Sequence, residues 1–498
     1  MSHEYFHHIP TGQSLPVNNI HAVSVSMPYL QDVFDYEEQT PEIFDKIKSG
    51  YPRFVLHPYV KQLASYIKNK YKIASEFEVV LLSSHKAVKL VSEKYFIDNK
   101  IDVDEPFGVV LVQNETNQLQ NVLNYIQHVG CSVSSRFAQD YLCRVKVLKN
   151  KQEEKLENRD IAKDIVMCEL SLAYNQPTEK IMIAPSGMNA IYAAIMGLSS
   201  IQAKNERTIL IQFGWLYFDT MNIVKHHCEK SKVFTDILNI DLLEEYLKES
   251  GLKVSAIITE MPSNPTLKTV DIKRLRSLCD KYDIPLVVDT TLATPYNLDL
   301  REYADIFVES LTKFACGNAD VLMGAIILNT KHNLSHSTAE FFKHCDPVFI
   351  EDIQRLAYEI KDYKQRVKQV SSNTKQLIEY LQNCSYVKEL YHCYSETNRE
   401  NYSVVARDDN SYTGVVSVTF KKPLEEVYDK LNFAKGPSLG TMFTLLMPYT
   451  YLAHWNLIQT KEGKEFLKKA QLPIELLRIS VGIEPIEEIL NEFKKLED

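Results

Sequence analysis

At 498 residues, with 45% hydrophobic and 24% charged side chains, the chain has the composition of an ordinary globular protein large enough for roughly two to four domains. A net charge of −9 and a pI near 5.9 argue against a nucleic-acid surface, and no apolar run approaches the roughly 18 to 20 residues that span a bilayer. Nine scattered cysteines without a C-x-x-C pair point away from zinc and from a disulfide framework, and fit a reducing, cytoplasmic setting.

The opening M-S-H-E-Y-F-H-H lacks the basic-then-apolar order of a signal peptide, and His3, His7 and His8 read as a solvated terminus and not as metal ligands; no metal is expected. Residues 1–75 mix loop and helix, punctuated by Pro10, Pro16, Pro28 and Pro41, and contain S-G-Y-P-R-F at 49 to 54. That motif is either a turn with an exposed arginine or an anion contact, since a guanidinium fork binds phosphate oxygens in pairs. From 76 to 174 the spacing predicts a separate α/β lobe. Strands fall at V-V-L-L (79–82) and V-V-L-V (109–112), and helices over 87–96 and 118–129, where Leu119, Val122, Leu123 and Ile126 share one face. The charged tail at 149 to 160 reads as a solvated helix face.

Residues 175–345 alternate strand and helix, the pattern of a mostly parallel sheet. After Ser186 and Gly187, residues Met188, Ile191, Ile195 and Leu198 step as a helix packed on one face, whose free first-turn N–H groups are an anion site. R-T-I-L-I-Q-F reads as a strand and turn leading to Tyr217, within an aromatic group that core packing alone could explain. V-S-A-I-I-T-E (254–260) is a strand leading to Asn264, and a helix covers 271–282. I-P-L-V-V (284–288) is a strand ending on Asp289, and I-F-V (306–308) runs into Glu309, Ser310, Leu311, Thr312 and Lys313. Lys313 lies 24 residues after Asp289, so both strand ends can meet on one sheet edge. A carboxylate and a lysine at such an edge suit pyridoxal phosphate, which needs an amine to take its aldehyde and an acid to keep its ring nitrogen protonated. The bland alternative is a solvated strand-end lysine. Residues 346–498 read as a smaller α+β domain: a long helical stretch to Leu381, a strand at 415–420, a helix over 424–431 and a strand at 476–481.

The blocks E-M-P-S-N-P-T-L (260–267), V-V-D-T-T-L-A-T-P-Y (287–296) and S-L-T-K-F (310–314) resemble the Cys/Met-metabolism pyridoxal-phosphate enzymes, the group of cystathionine γ-synthase, cystathionine lyases and homoserine sulfhydrylases. The resemblance implies fold type I, α/β with a mostly parallel sheet carrying helices on both faces and a C-terminal α+β domain. It implies pyridoxal 5'-phosphate bound through Lys313, with Asp289 at the ring nitrogen and Tyr217 stacked on the ring. The backbone of Gly187 and Met188 and the hydroxyls of Ser310 and Thr312 would take the phosphate, and Asn264 the phenolic oxygen or the substrate. Tyr51 and Arg53 of a neighbouring subunit would also reach the phosphate, in a homodimer or homotetramer with shared sites. Arg478 in L-L-R-I-S-V would grip the substrate α-carboxylate, with Ser438 of P-S-L-G beside it; Lys313 and Tyr217 would be catalytic.

Two departures bear on the substrate. Several cystathionine-handling members carry a glutamate directly before that serine, where this chain has Pro437, and G-N-A-D-V (317–321) replaces the commoner G-H-S-D-V. The expected activity is γ-replacement on an activated homoserine, with cysteine as the incoming thiol, in the manner of cystathionine γ-synthase. Elimination without replacement, or another leaving group such as the sulfonium of S-adenosylmethionine, would use the same residues. The alternative of another class is a non-catalytic relative that binds partners through the 76–174 lobe.

Overall fold

A computed structural model describes residues 5–47, 55–103, 106–332, 334 and 338–497. Its centre is a 7-stranded sheet in the spatial order Ile181–Ala184, Gly324–Leu328, Ile306–Ser310, Leu286–Asp289, Val254–Glu260, Ile209–Phe213, Lys230–Phe234. The last five pair in parallel, with Asp289 opposite Glu260 and opposite Val308. Gly324–Leu328 runs antiparallel to both its neighbours, so the residues after Lys313 return to the sheet against its direction. The central strands are apolar on both faces, as strands covered on both sides must be. Val287, Ile306 and Val308 face one cluster, and Val288 and Phe307 the other.

The second cluster packs the sheet under helices Arg159–Tyr174, Ile272–Tyr282 and Ile350–Glu359. The first holds helix Gly187–Gln202, begun by Ser186, whose hydroxyl accepts from the Asn189 N–H, a cap worth about 1 kcal/mol. This helix was expected to bury one face. It is buried nearly all round, Asn189, Ala190, Ala193 and Gly197 included, because helix Asn117–Val129 of the 76–174 segment, helix Phe218–His227 and helix Thr338–Phe342, whose Phe341 lies against Gly197, also pack on it.

That segment holds a 3-stranded antiparallel sheet, Phe77–Leu82, Gly108–Gln113 and Lys100–Ile101, and helices His85–Tyr95, Asn117–Val129 and Ser135–Arg144, each with a Ser or Thr cap. Val80, Leu82, Val110 and Val112 join the same cluster as Ile195 and Val308, so its core is continuous with that of the large sheet. The charged tail expected to be a solvated helix face is instead an extended strap over 151–158. Its acids are drawn down by buried arginines: Arg136, 1% exposed, donates from Nε and Nη2 to the two Glu154 oxygens at 2.8 Å each. Arg136 Nη1 also reaches Asp352, at 3.2 Å, and the Asp320 carbonyl, at 2.7 Å. Paired this way a charged strap packs down, where an unpaired one would stay in water.

The C-terminal part carries a 5-stranded sheet, Val387–Tyr391, Val415–Phe420, Leu477–Ser480, Leu445–Pro448 and Ala434–Lys435, packed with helices Tyr363–Leu381 and Ile486–Lys494. Met447 and Arg478, paired across strands Leu445–Pro448 and Leu477–Ser480, turn to the same cavity as Asp289 and Lys313 of the large sheet. Among the described residues no helix is long and apolar enough to cross a membrane.

Candidate active site

One cavity of about 410 Å3 opens at the C-terminal ends of the parallel strands, the usual ligand position in such a sheet. Gly187, Met188, Tyr217, Asn264, Asp289, Ser310, Thr312, Lys313, Ser438 and Arg478 all line it. The structure thus brings together residues spread over almost 300 positions, about 58% of the chain's length by simple subtraction (478 − 187 = 291). Tyr51 and Arg53 lie outside the described residues.

The strand ends fix the two titratable centres. Asp289 closes Leu286–Asp289 and accepts from the Thr291 N–H at 2.9 Å; Thr291 in turn receives the Ser310 N–H on its hydroxyl at 2.9 Å, tying the two strand ends together. Burial raises the Asp289 carboxyl, opposed by the Thr291 contacts. No cation pairs with it among the described residues. Its neighbour Glu260 is fully enclosed and pushed well up, first by burial and then by the Asp289 charge. Glu260 accepts the backbone N–H of Tyr217 and, at 3.3 Å, that of Asn264, so one carboxyl holds the turns bearing both residues.

The Lys313 amine donates to Ser438 Oγ at 2.8 Å. Burial, and then the positive charge of Arg478, lower it from 10.5 to about 7. Ser438 is held with φ at +96°, a conformation that costs a non-glycine residue about 1–3 kcal/mol and is met chiefly at functional sites. Arg478 sits in the middle strand of the C-terminal sheet, buried, with Nη1 on Asn264 Oδ1 at 3.2 Å and Nη2 on the Ser438 carbonyl at 2.5 Å, over the Tyr449 ring at 5.3 Å. The Asn264 amide nitrogen approaches the Tyr449 hydroxyl at 3.4 Å. Asn264 therefore orients Arg478 in the chain alone. Apolar residues of the same lining include Leu292, Leu439, Met447 and Ala453.

These residues fit pyridoxal phosphate. A buried carboxyl without a counter-charge is what a protonated ring nitrogen satisfies, and a buried amine near neutrality is what an aldehyde captures. At the other end Gly187 opens its helix so near Ser310 that a Cβ there would meet Ser310 Cβ at 2.7 Å; a bare backbone leaves the N–H groups of Gly187 and Met188 accessible from the cavity. Thr312 is more committed than expected: its hydroxyl accepts from the Met323 N–H at 3.2 Å and faces the Met323 carbonyl at 3.4 Å. Of the departures, Asn318 donates to Glu359 at 2.8 Å, and Pro437 accepts the Ser24 hydroxyl on its carbonyl at 2.5 Å. Glu260, Thr291 and Tyr449 were missed in the sequence. Only Glu260 carried a signal there, as the polar end of an apolar strand in the same block as Asn264.

Known proteins resemble this chain in sequence and in fold. The family of Cys/Met metabolism PLP-dependent enzymes matches residues 108–496. The chain is 34% identical over 483 residues, 96% of each sequence, to the L-2-amino-4-chloropent-4-enoate dechlorinase/desaturase of Streptantibioticus cattleyicolor. It is 34% identical over 330 residues, 64% of this chain and 52% of the relative, to the cystathionine gamma-synthase of Neurospora crassa. The structure of cystathionine gamma-lyase from Lactobacillus plantarum complexed with L-serine superposes with a TM-score of 0.57 over 70% of this chain and 90% of that one, at 18% identity. The fold is that of the type-I enzymes, and the alternative of a non-catalytic binding protein falls away. The chain belongs to the Cys/Met metabolism family of pyridoxal-phosphate-dependent enzymes.

Proposed function

We propose that this enzyme replaces the leaving group on the γ-carbon of an activated homoserine-type L-amino acid with a thiol, as with an O-acyl-homoserine and cysteine. The observation that carries the reading is the meeting, in one cavity, of a lysine amine lowered to about 7 with an arginine placed to take a carboxylate.

Each residue has a separate task. Lys313 would hold the cofactor, and its amine, lowered toward neutrality, would serve as the base for the Cα proton and carry it toward the β- and γ-carbons. Ser438 fixes the amine's direction through the 2.8 Å contact. Arg478, braced by Asn264, grips the α-carboxylate and so turns the Cα–H bond toward Lys313. Asp289 keeps the ring nitrogen protonated, Tyr217 covers the ring, and Gly187, Met188, Ser310 and Thr312 receive the phosphate, with Tyr51 and Arg53 joining from a neighbouring subunit in a homodimer or homotetramer. Bound there, pyridoxal phosphate supplies the electron sink for the charge left at Cα. We divide the chain into an arm over 1–75, a lobe over 76–174, a cofactor domain over 175–345 and a substrate-side domain over 346–498, with helix Arg159–Tyr174 at the end of the lobe packed against the large sheet.

Elimination without replacement is the second reading. It is supported by the L-2-amino-4-chloropent-4-enoate dechlorinase/desaturase that matches this chain over 96% of its length. Feeding O-acetyl- and O-succinyl-homoserine with and without cysteine separates the two. Thioether formed only with cysteine supports replacement; 2-oxobutanoate at the same rate with or without it supports elimination. No turnover of either ester, nor of a γ-halogenated amino acid, would refute γ-chemistry.

A further inference from the structure

The end of helix Asn117–Val129 touches both walls of the cofactor site at once. Gln127 donates from Nε2 to Asp219 Oδ1 at 2.8 Å, and Asp219, 3% exposed, lies in the first turn of helix Phe218–His227, directly after Tyr217. Three residues later the Gly130 carbonyl accepts the hydroxyl of Ser186, the cap of the helix that opens with Gly187 and Met188, at 3.0 Å. The Val129 carbonyl accepts from Asn189 Nδ2, one turn into that helix, at 3.2 Å. Gly130 closes its own helix with φ at +65°, and a Cβ there would meet Ser186 Oγ at 1.9 Å and the Asn189 nitrogen at 3.0 Å. Gln127, Gly130, Ser186 and Asp219 all line the cavity.

We propose that Gln127 and Gly130 are positioning residues of the cofactor site: by holding Asp219 and Ser186 together, the 127–130 turn sets the separation between the helix start that receives the phosphate and the tyrosine that covers the ring. The 76–174 segment is then part of the cofactor site and not an appendage. Helix Gly187–Gln202 could keep its cap on Ser186 without this turn, since the cap acceptor bond to Asn189 is its own. What the turn adds is a fixed place for the cap, and a left-handed glycine is the residue type that lets a backbone carbonyl approach so closely. The same turn reaches Asp219, two residues beyond Tyr217, through one side-chain bond, and loss of a single bond of this kind is worth about threefold to tenfold in an equilibrium. The inference rests on the assignment of Gly187, Met188 and Tyr217 to the cofactor.

The test compares Gln127→Leu and Gly130→Ala with wild type and with Val112→Ala, which opens a hole in the core of the same segment away from the cavity. Each full-length protein is stripped of cofactor and titrated with pyridoxal 5'-phosphate, following the visible absorbance band. Its melting temperature is taken without the cofactor. The expected result is a cofactor dissociation constant raised at least about threefold in Gln127→Leu and about tenfold in Gly130→Ala, with Val112→Ala within about twofold of wild type despite a lower melting temperature. Should Gly130→Ala not fold, Gln127→Leu decides by itself. Affinity within about twofold of wild type in Gln127→Leu, or a loss in Val112→Ala that matches it at equal melting temperature, overturns the proposal. Wild type that takes up no cofactor would instead refute the site assignment beneath it.

Discussion

Replacing Lys313 by methionine tests the electrostatics of the site without any substrate. In the cofactor-free chain the amine is lowered from 10.5 to about 7 by burial and by Arg478, a gap worth about 5 kcal/mol. Solvent entering through the cavity makes that an upper figure. An amine lowered on folding binds fewer protons in the folded chain than in the unfolded one between those two values, so wild-type stability rises with pH across this window. Below about pH 7 both states carry the proton and the full cost is present; as pH climbs toward 10.5 the unfolded chain loses its proton and the cost disappears. Methionine keeps the length and apolar stem but has no proton to lose. Lys313→Met should therefore be more stable than wild type at pH 6, and its advantage should shrink by up to about 3 kcal/mol by pH 9. The lost contact to Ser438 lowers the whole difference without changing its slope. Urea unfolding of both cofactor-free proteins from pH 6 to pH 9 measures it. A difference constant to within about 0.5 kcal/mol over that range would show that Lys313 is not perturbed, and the reasoning that makes it a ready amine would fail.

Arg478→Lys keeps the charge and loses the fork that bridges Asn264 and Ser438. Steady-state kinetics should show KM for the amino acid raised about tenfold to a hundredfold with cofactor affinity unchanged; a loss confined to the cofactor would contradict the carboxylate role. Arg136→Met strands the Glu154 and Asp352 carboxylates and should cost about 3–5 kcal/mol in denaturant unfolding, with part recovered on adding Glu154→Gln. An unchanged midpoint would mean the strap over 151–158 is held by its backbone alone.

Parts of the fold were legible because local chemistry and tertiary position agree. Val254–Glu260 and Val415–Phe420 run as read, each a stretch of β-branched residues with a polar or glycine boundary. The helix read as starting at Asp271 starts at Ile272, since Asp271 serves as its cap, accepting from the Arg274 N–H. Other features depend on partners far along the chain. Periodicity marks the face that helix Gly187–Gln202 turns to its sheet, but says nothing of the helices, one of them from the 76–174 segment, that also pack on it. The charges of 149–160 look solvated until Arg136 and Arg355 are placed beside Glu154 and Asp320, where Lys155 gives its carbonyl to Arg355 and holds its amine over the Tyr358 ring. The antiparallel direction of Gly324–Leu328 is not marked by the length of the return after Ser310, since a connection of that length would also admit a crossover. Within the site, Asp289 and Lys313 announced themselves by charge at strand ends. Thr291 and Tyr449 did not, because they act by bracing another residue and carry no charge.

The central claim is that Lys313 carries the cofactor, and the most direct test is chemical. The purified enzyme is loaded with pyridoxal 5'-phosphate, reduced with borohydride to fix the lysine–cofactor bond as a secondary amine, digested and sequenced by mass spectrometry. The account predicts a single pyridoxyl-modified peptide carrying the label on Lys313, absent from Lys313→Ala. A label on another lysine, or an equal label in the variant, would contradict it.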